Sequence, residues 1–444
     1  MANFNPYITN DGSVGLYSQD YDDVYHSTYG ALTEAYEKFI LPANFKKYFQ
    51  KNNEIKILDL CFGIGYNTKS FLNFLIENKN IDTIDTDNII CNDTIHDDNT
   101  ILPPIFKGGV SGADGGFCGT HQPYKLKIYI HAIEKDKNLV QLSPFIKTEI
   151  KNSHKNSLPF KNEKISKMLS EKIEPKYKLN PQINYLLLEK MKHIIDDDIN
   201  NILYDKKYAQ YFDRAIIDIN SHKNIPNDIL YPLRFLNAFL HNIYYRYIST
   251  CYKKALKTLK MLDFNFKVST DDARVVLKND ILKYNFVFLD AFTPTKCPSL
   301  WSVDFFRLLY EHLEDNGMIL TYSNSAQVRH AMLEAGFDIY KNVIDGKSQG
   351  TIAVKNSFLP HPGPLTSGEG ASVNELVNFT PTGEGSKIEP LSKYDLGLLK
   401  TKAGIIYRDE NLNLSNEEII ARHDIEFKNS NLMSASKYKR ENLL

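Results

Sequence analysis

Hydrophobic and polar positions between residues 286 and 325 change pattern repeatedly. Residues 286–289 are uniformly apolar, residues 290–294 are polar and end in proline, and residues 301–313 carry apolar side chains at helical spacing. Asn316-Gly317 interrupts that spacing before a second apolar run. The pattern predicts strand, acidic loop, helix, turn and strand in succession. It delivers Asp290 to the C-terminal end of the first strand, the edge at which ligands bind in open α/β sheets. Taken alone, an aspartate there also fits an ordinary βαβ unit in which it caps a loop.

A second unit of the same grammar lies upstream. Residues 55–60 read as a strand, Gly63 and Gly65 as a turn with close backbone approach, and residues 68–76 as a helix. Free backbone N–H groups at such a helix start are expected to favour an anionic group. The Asp59-x-x-x-Gly63-x-Gly65 spacing lacks the third glycine of a dinucleotide fingerprint and the Lys-Ser/Thr of a phosphate loop, which disfavours NAD and ATP. Residues 127–133 alternate as a third strand and end at Glu134, where an acidic side chain can accept hydrogen bonds from ribose hydroxyls.

Between these pieces the pattern is lost. Residues 83–124 and 360–387 have no periodicity, are rich in Gly, Pro, Asn and Ser, and read as irregular loop insertions resembling translated repeat sequence. Residues 141–247 contain helix-like stretches at 184–199 and 229–247 and read as a helical insertion. The expected organisation is a cap segment over 1–54, an α/β domain over 55–359 that carries the first and the helical insertion, the 360–387 insertion, and a tail of the same domain over 388–444.

Composition narrows the classes. A chain of 444 residues with 42% hydrophobic content can bury a sizeable core. No apolar run reaches the roughly 18 residues of a membrane span. Residues 1–10 show neither a charged nor an apolar signal region, so the expected location is cytoplasmic. Five cysteines without CxxC spacing argue against a disulfide scaffold or a zinc site. A net charge of −1 does not announce a nucleic-acid binder, although Lys437, Lys439 and Arg440 form a local basic group.

The quoted motifs in this order resemble the class I S-adenosylmethionine-dependent methyltransferases, and more narrowly the MnmC methyltransferase family. The resemblance rests on Tyr25-His26-Ser27 with Gly30-Ala31-Leu32-Thr33-Glu34, on Leu58-Asp59-x-Cys61-Phe62-Gly63-x-Gly65-Tyr66-Asn67, and on Asp290-Ala-Phe-Thr-Pro294 with Leu300-Trp301. The tail, with Gly404-Ile-Ile-Tyr407-Arg408-Asp409 and Ser434-x-Ser436-x-Tyr438-Lys439-Arg440, resembles stand-alone members without a flavin oxidase. What this implies is a Rossmann-like α/β fold, with a seven-stranded mostly parallel sheet and helices on both faces. The implied activity is transfer of a methyl group from S-adenosyl-L-methionine to the 5-aminomethyl group of a tRNA wobble uridine, so the expected partner is the tRNA anticodon region. Neither flavin nor metal is expected.

By the same resemblance, Gly63, Gly65 and Asn67 shape the turn around the methionine portion of the cofactor, and Asp59 helps hold its ammonium. Glu134 takes the ribose hydroxyls, Asp272 or its neighbour Asp271 the adenine amino group, and Tyr25 closes over the cofactor. Asp290 is the expected catalytic residue, with His26, Ser27, Phe292, Pro294 and Lys347 on the substrate side. Two other functions compete. One is an aminopropyltransferase of the spermidine synthase type, which shares the acidic loop but would carry an acidic partner after consecutive glycines. The other is a degenerate tRNA-binding module, against which the intact acidic and glycine positions speak.

Overall fold

In the computed structural model the described residues are 4–25, 27–78, 125–150, 161, 163–169, 174–221, 249–257, 262–356 and 386–442. Eleven strands lie among them. Three short ones, β1 (Pro6–Ile8), β2 (Val14–Ser18) and β3 (Asp23–Val24), form a small antiparallel sheet at the N-terminus. The other eight form one sheet. They are β4 (Glu54–Leu60), β5 (Lys127–Ile133), β6 (Asp263–Ser269), β7 (Tyr284–Leu289), β8 (Leu313–Thr321), β9 (Asp338–Ile344), β10 (Lys347–Val354) and β11 (Ser386–Pro390), in the order β11-β9-β10-β8-β7-β4-β5-β6. From β8 to β6 neighbouring strands are parallel, and the pairs that carry β10, β9 and β11 are antiparallel.

Both faces of the sheet are covered, which is why β4 and β7 read as near-continuous apolar runs. Ile55 and Ile57 of β4, Ile128 and Ile130 of β5, and Phe286 and Phe288 of β7 pack into one core with the helix Tyr66–Glu77 and the N-terminal segment. Leu58, Leu60, Val287 and Leu289, at the alternate positions, pack into a second core with Trp301 and the helix Val303–Glu311. Each such buried side chain contributes about 2 kcal/mol. Under the β5–β6 edge, buried His131 bridges the Ser269 hydroxyl at 2.8 Å and the Asp280 carboxylate at 3.0 Å. Burial holds this imidazole down at about 4, so it ties the edge together in its neutral form.

The expected α/β class stands, with β11 as an eighth strand. Residues 386–387, expected inside the low-complexity insertion, belong to β11 and pair with Ile344 and Val343. Asn316-Gly317 does not separate helix from strand. It lies inside β8, where Asn316 is left-handed (φ 62°) and pairing with β7 slips between Tyr284 and Phe286. Main-chain bonds from Asn316 and to Gly317 reach Lys355, so the sheet absorbs the turn as a bulge. The helix expected over 184–199 is shorter, Gln182–Met191, followed by a separate turn at Asp197–Ile199. The stretches 83–124 and 229–247 lie outside the described residues.

Candidate active site

The chain runs from β4 to β5 to β6 on one side and then crosses to β7 and β8 on the other side of β4, which puts a topological switch point between β4 and β7. Clefts open at such points beyond the C-terminal strand ends. Here a cleft of about 680 Å³ is lined by residues that follow β4, β5, β6 and β7, among them Cys61, Glu134, Asp271, Asp272 and Asp290.

Glu134 organises the floor. One carboxylate oxygen accepts the Gly63 N–H at 2.9 Å and the other accepts the Asp136 N–H at 3.0 Å. The N–H groups of Cys61 and Phe62 go to the Ile133 carbonyl, and that of Gly65 to Phe62. The turn is therefore not the open anion cradle expected from its glycines, because a carboxylate from β5 and nearby carbonyls already occupy those donors. Gly65 is still required. It is left-handed (φ 81°), and a Cβ there would lie 2.4 Å from the Phe62 ring.

Behind that turn Asp59 is fully buried. One oxygen accepts the Thr68 hydroxyl at 2.6 Å, and Oδ1 has no hydrogen-bond partner among the described groups. Burial pushes its carboxyl up to about 7. Asp290, at the end of β7, accepts from Asn67 Nδ2 at 3.1 Å and is pushed up to about 8, first by burial and then by the charge of Glu34. Glu134 is raised as well, again chiefly by burial.

Asp272 caps the helix Ala273–Lys278 and takes both the Nε and an NH2 of Arg274, at 3.1 and 2.8 Å. Arg274 also reaches Asp409 at 2.7 Å. Both Asp272 oxygens are thus engaged, whereas the exposed Asp271 beside it accepts the Asp272 N–H at 2.7 Å. Over the opening, Phe292 stacks on Tyr21 at 4.5 Å and leans on Tyr25 at 4.7 Å.

Of the expected site residues, Tyr25, Glu134, Asp272, Asp290 and Phe292 line the cleft. Asp59, Gly63, Gly65 and Asn67 stand behind its wall. Ser27, Pro294 and Lys347 are not among the lining residues, and Lys347 sits exposed at the start of β10. His26 lies outside the described residues. Asp20, Tyr21, Cys61, Asp136, Cys297, Ser299, Ser415 and Asn416 line the cleft without having been singled out for it. Apart from Cys61, which stands in the glycine-turn motif, no periodicity or motif marks them, since loops far apart in the chain bring them together.

Six carboxylates line the cleft against Lys135, Lys137 and Arg274. Two of those cations are already paired, Arg274 with Asp272 and Asp409 and Lys137 with Asp196. The site therefore favours a cationic ligand. Among the described residues no His/Cys/Asp/Glu group is placed to hold a metal ion, and no helix is long and apolar enough to cross a membrane.

A family model described as S-adenosyl-L-methionine-dependent methyltransferase matches residues 236–356. The tRNA 5-methylaminomethyl-2-thiouridine biosynthesis bifunctional protein MnmC of Burkholderia vietnamiensis is 39% identical over 66 residues, 15% of this chain and 10% of that protein. The crystal structure of MnmC2 from Aquifex aeolicus superposes with a TM-score of 0.50 at 20% identity, covering 97% of this chain and 87% of that one. The chain thus shares the fold of MnmC2, and its residues 236–356 match a methyltransferase family model. An uncharacterized protein of Methanocaldococcus jannaschii is also 31% identical over 157 residues, 35% of this chain and 37% of that protein. The matched stretches thus span little more than a third of one curated relative and a tenth of the other. The family-model match ends at residue 356, two residues after β10, and includes β7, Asp290 and Phe292.

Proposed function

We propose that this chain is an S-adenosylmethionine-dependent N-methyltransferase acting on the 5-aminomethyl group of a tRNA wobble uridine. The observation that carries the reading is Asp290, a partly open carboxylate at the switch point, held by Asn67 and raised to about 8. The tRNA substrate rests on the names of the MnmC relatives.

The acidic cleft suits a sulfonium cofactor, and the orphaned Asp59 Oδ1 under the glycine turn supplies negative charge for an ammonium. Glu134 would take the ribose hydroxyls and Asp271 or Asp272 the adenine amino group. Asp271 is the better placed of the two, because Arg274 already holds the Asp272 carboxylate. When bound, S-adenosylmethionine supplies an activated methyl group, so the protein's task is alignment and exclusion of water. Asp290 accepts a hydrogen bond from the substrate amine, aims its lone pair, and takes up the proton released as the new N–C bond forms. The exchange uses the ionised carboxylate, whose share grows as pH rises towards about 8. Tyr21, Tyr25 and Phe292 provide an aromatic rim for a nucleobase.

The test is an assay of the purified chain with S-adenosylmethionine and tRNA that bears 5-aminomethyluridine, read by mass spectrometry of the nucleosides. The expected product is 5-methylaminomethyluridine, with the carboxymethylaminomethyl form left unchanged. Absence of product from the aminomethyl substrate would overturn the reading.

A further inference from the structure

One surface outside the cleft is organised from the cleft outward. The helix Asn416–Asn429 starts at the opening, where Ser415 and Asn416 line the cleft and the Asn416 side chain meets Ser299 N and Lys296 O at 3.4 Å. Fourteen residues of helix span about 21 Å. At its far end Lys402 Nζ donates to the Phe427 carbonyl at 3.1 Å and lies over the Phe427 ring, and the Lys402 N–H holds Met433 O at 2.9 Å. The chain then returns as the helix Ala435–Asn442, docked on the helix Lys393–Leu399 by Tyr438 against Tyr394, with ring centroids 5.5 Å apart. Gly397 makes this approach possible, since a Cβ there would fall 1.9 Å from the Tyr438 hydroxyl.

With Tyr438 turned inward, Lys437, Lys439 and Arg440 are exposed, as are Lys393, Lys400 and Lys428. Among the described residues only Lys437 of these six has a carboxylate within 4.0 Å, that of Glu441. The acids of the long helix lie beside Arg408 or His423 or stand at its cleft end. Glu426 lies 4.0 Å from Arg408, Asp424 lies 3.8 Å from His423, and Glu417 and Glu418 are in the first turn. Six exposed cations, five of them with no carboxylate within 4.0 Å among the described residues, are thus carried by the last turn of the long helix, by the helix Lys393–Leu399 with the residue after it, and by the helix Ala435–Asn442. Phe427 and Met433 are part-exposed among them.

We propose that this basic face of the C-terminal helices is the docking surface for RNA phosphates, holding the backbone about 20 Å from the cleft while one nucleotide enters it. The inference rests on the tRNA reading above and adds where the RNA lies. Phosphate contacts position a nucleic acid without reading its sequence. The surface therefore acts on affinity and register, and the choice of base stays with the aromatic rim. An anionic lipid surface shares the charge, but the helix that links this face to the cleft favours a ligand reaching both.

The test replaces Lys428→Gln, Lys437→Gln, Lys439→Gln and Arg440→Gln together in the full chain, which keeps helix-forming side chains. Binding is followed by fluorescence anisotropy with an anticodon stem-loop RNA over a range of salt, and with phosphatidylserine vesicles. Wild type is expected to bind the RNA. The variant should bind at least tenfold more weakly, with a salt slope flatter by about 3, while calorimetry with S-adenosylmethionine shows unchanged cofactor affinity and so an intact fold. Equal RNA affinity and slope in the two proteins would overturn the surface and leave the tRNA reading standing. Loss of vesicle binding alone would assign the face to lipid and overturn it too. A wild-type protein that binds no RNA would overturn both.

Discussion

At the scale of single residues, two ionisable groups with desolvated charged forms, one partly open and one buried, oppose folding. Asp290 is raised to about 8, so the folded chain keeps a proton that the unfolded chain releases above the usual carboxylate range. Stability on this account is lost as pH rises from that range through about 8. Asp290→Asn should raise the melting temperature at neutral pH, with the difference vanishing at acid pH, while turnover falls by about 10²-fold. An unchanged turnover number would remove Asp290 from the chemistry. Glu134→Ala should instead weaken cofactor binding by about tenfold or more and leave turnover of bound cofactor near wild type, since ribose contacts are made in ground and transition states alike. Titration calorimetry separates the two. Lys69 is the opposite sign of charge. It is buried against the Ser143 carbonyl at 2.7 Å and held down at about 7 by desolvation. Here the unfolded chain binds the extra proton between about 7 and the ordinary lysine range, so stability rises with pH across that window. Lys69→Met should stabilise by about 1–3 kcal/mol at neutral pH and flatten that alkaline rise in thermal melts.

At the scale of elements, the turn between β4 and the helix Tyr66–Glu77 concentrates the constraints. Gly65 is left-handed and a Cβ there would run into Phe62 and Ser143, so Gly65→Ala meets both backbone strain and a clash. The expected loss is on the order of 2 kcal/mol. Because Phe62 must move, Gly63 would lose its bond to Glu134, and cofactor affinity should fall with stability in the same calorimetric titration. A variant with wild-type melting and affinity would show that the turn tolerates a side chain.

At the scale of the molecule, the sheet is assembled from segments far apart in the chain. β4 and β5 pair in register from Glu54 with Lys127 to Leu60 with Ile133, across the connection that contains residues 83–124. The loop-closure term changes by only about 0.6 kcal/mol for each doubling of length. Replacing 83–124 by a short linker should therefore leave the melting temperature and cofactor binding within a degree or two and twofold, respectively. Failure to fold would show that this stretch belongs to the domain rather than being inserted in it.

Local pattern determined much of this protein. The strands β4 and β7 were legible because both of their faces are buried, β5 because its apolar and polar positions alternate, Gly65 because its backbone conformation excludes a side chain, and Asp290 because a strand ended where it stands. Tertiary structure decided the rest. The capture of the Gly63 N–H by Glu134 depends on β4 and β5 being neighbours, and no spacing announces a partner 71 residues away. The same holds for Tyr21 on Phe292 and for Ser415 and Asn416 at the cleft wall, whose chemistry is ordinary until folding puts them there. The bulge at Asn316 and the strand β11 likewise depended on what the sheet offered as a partner, because backbone groups form a ladder only when another strand lies beside them.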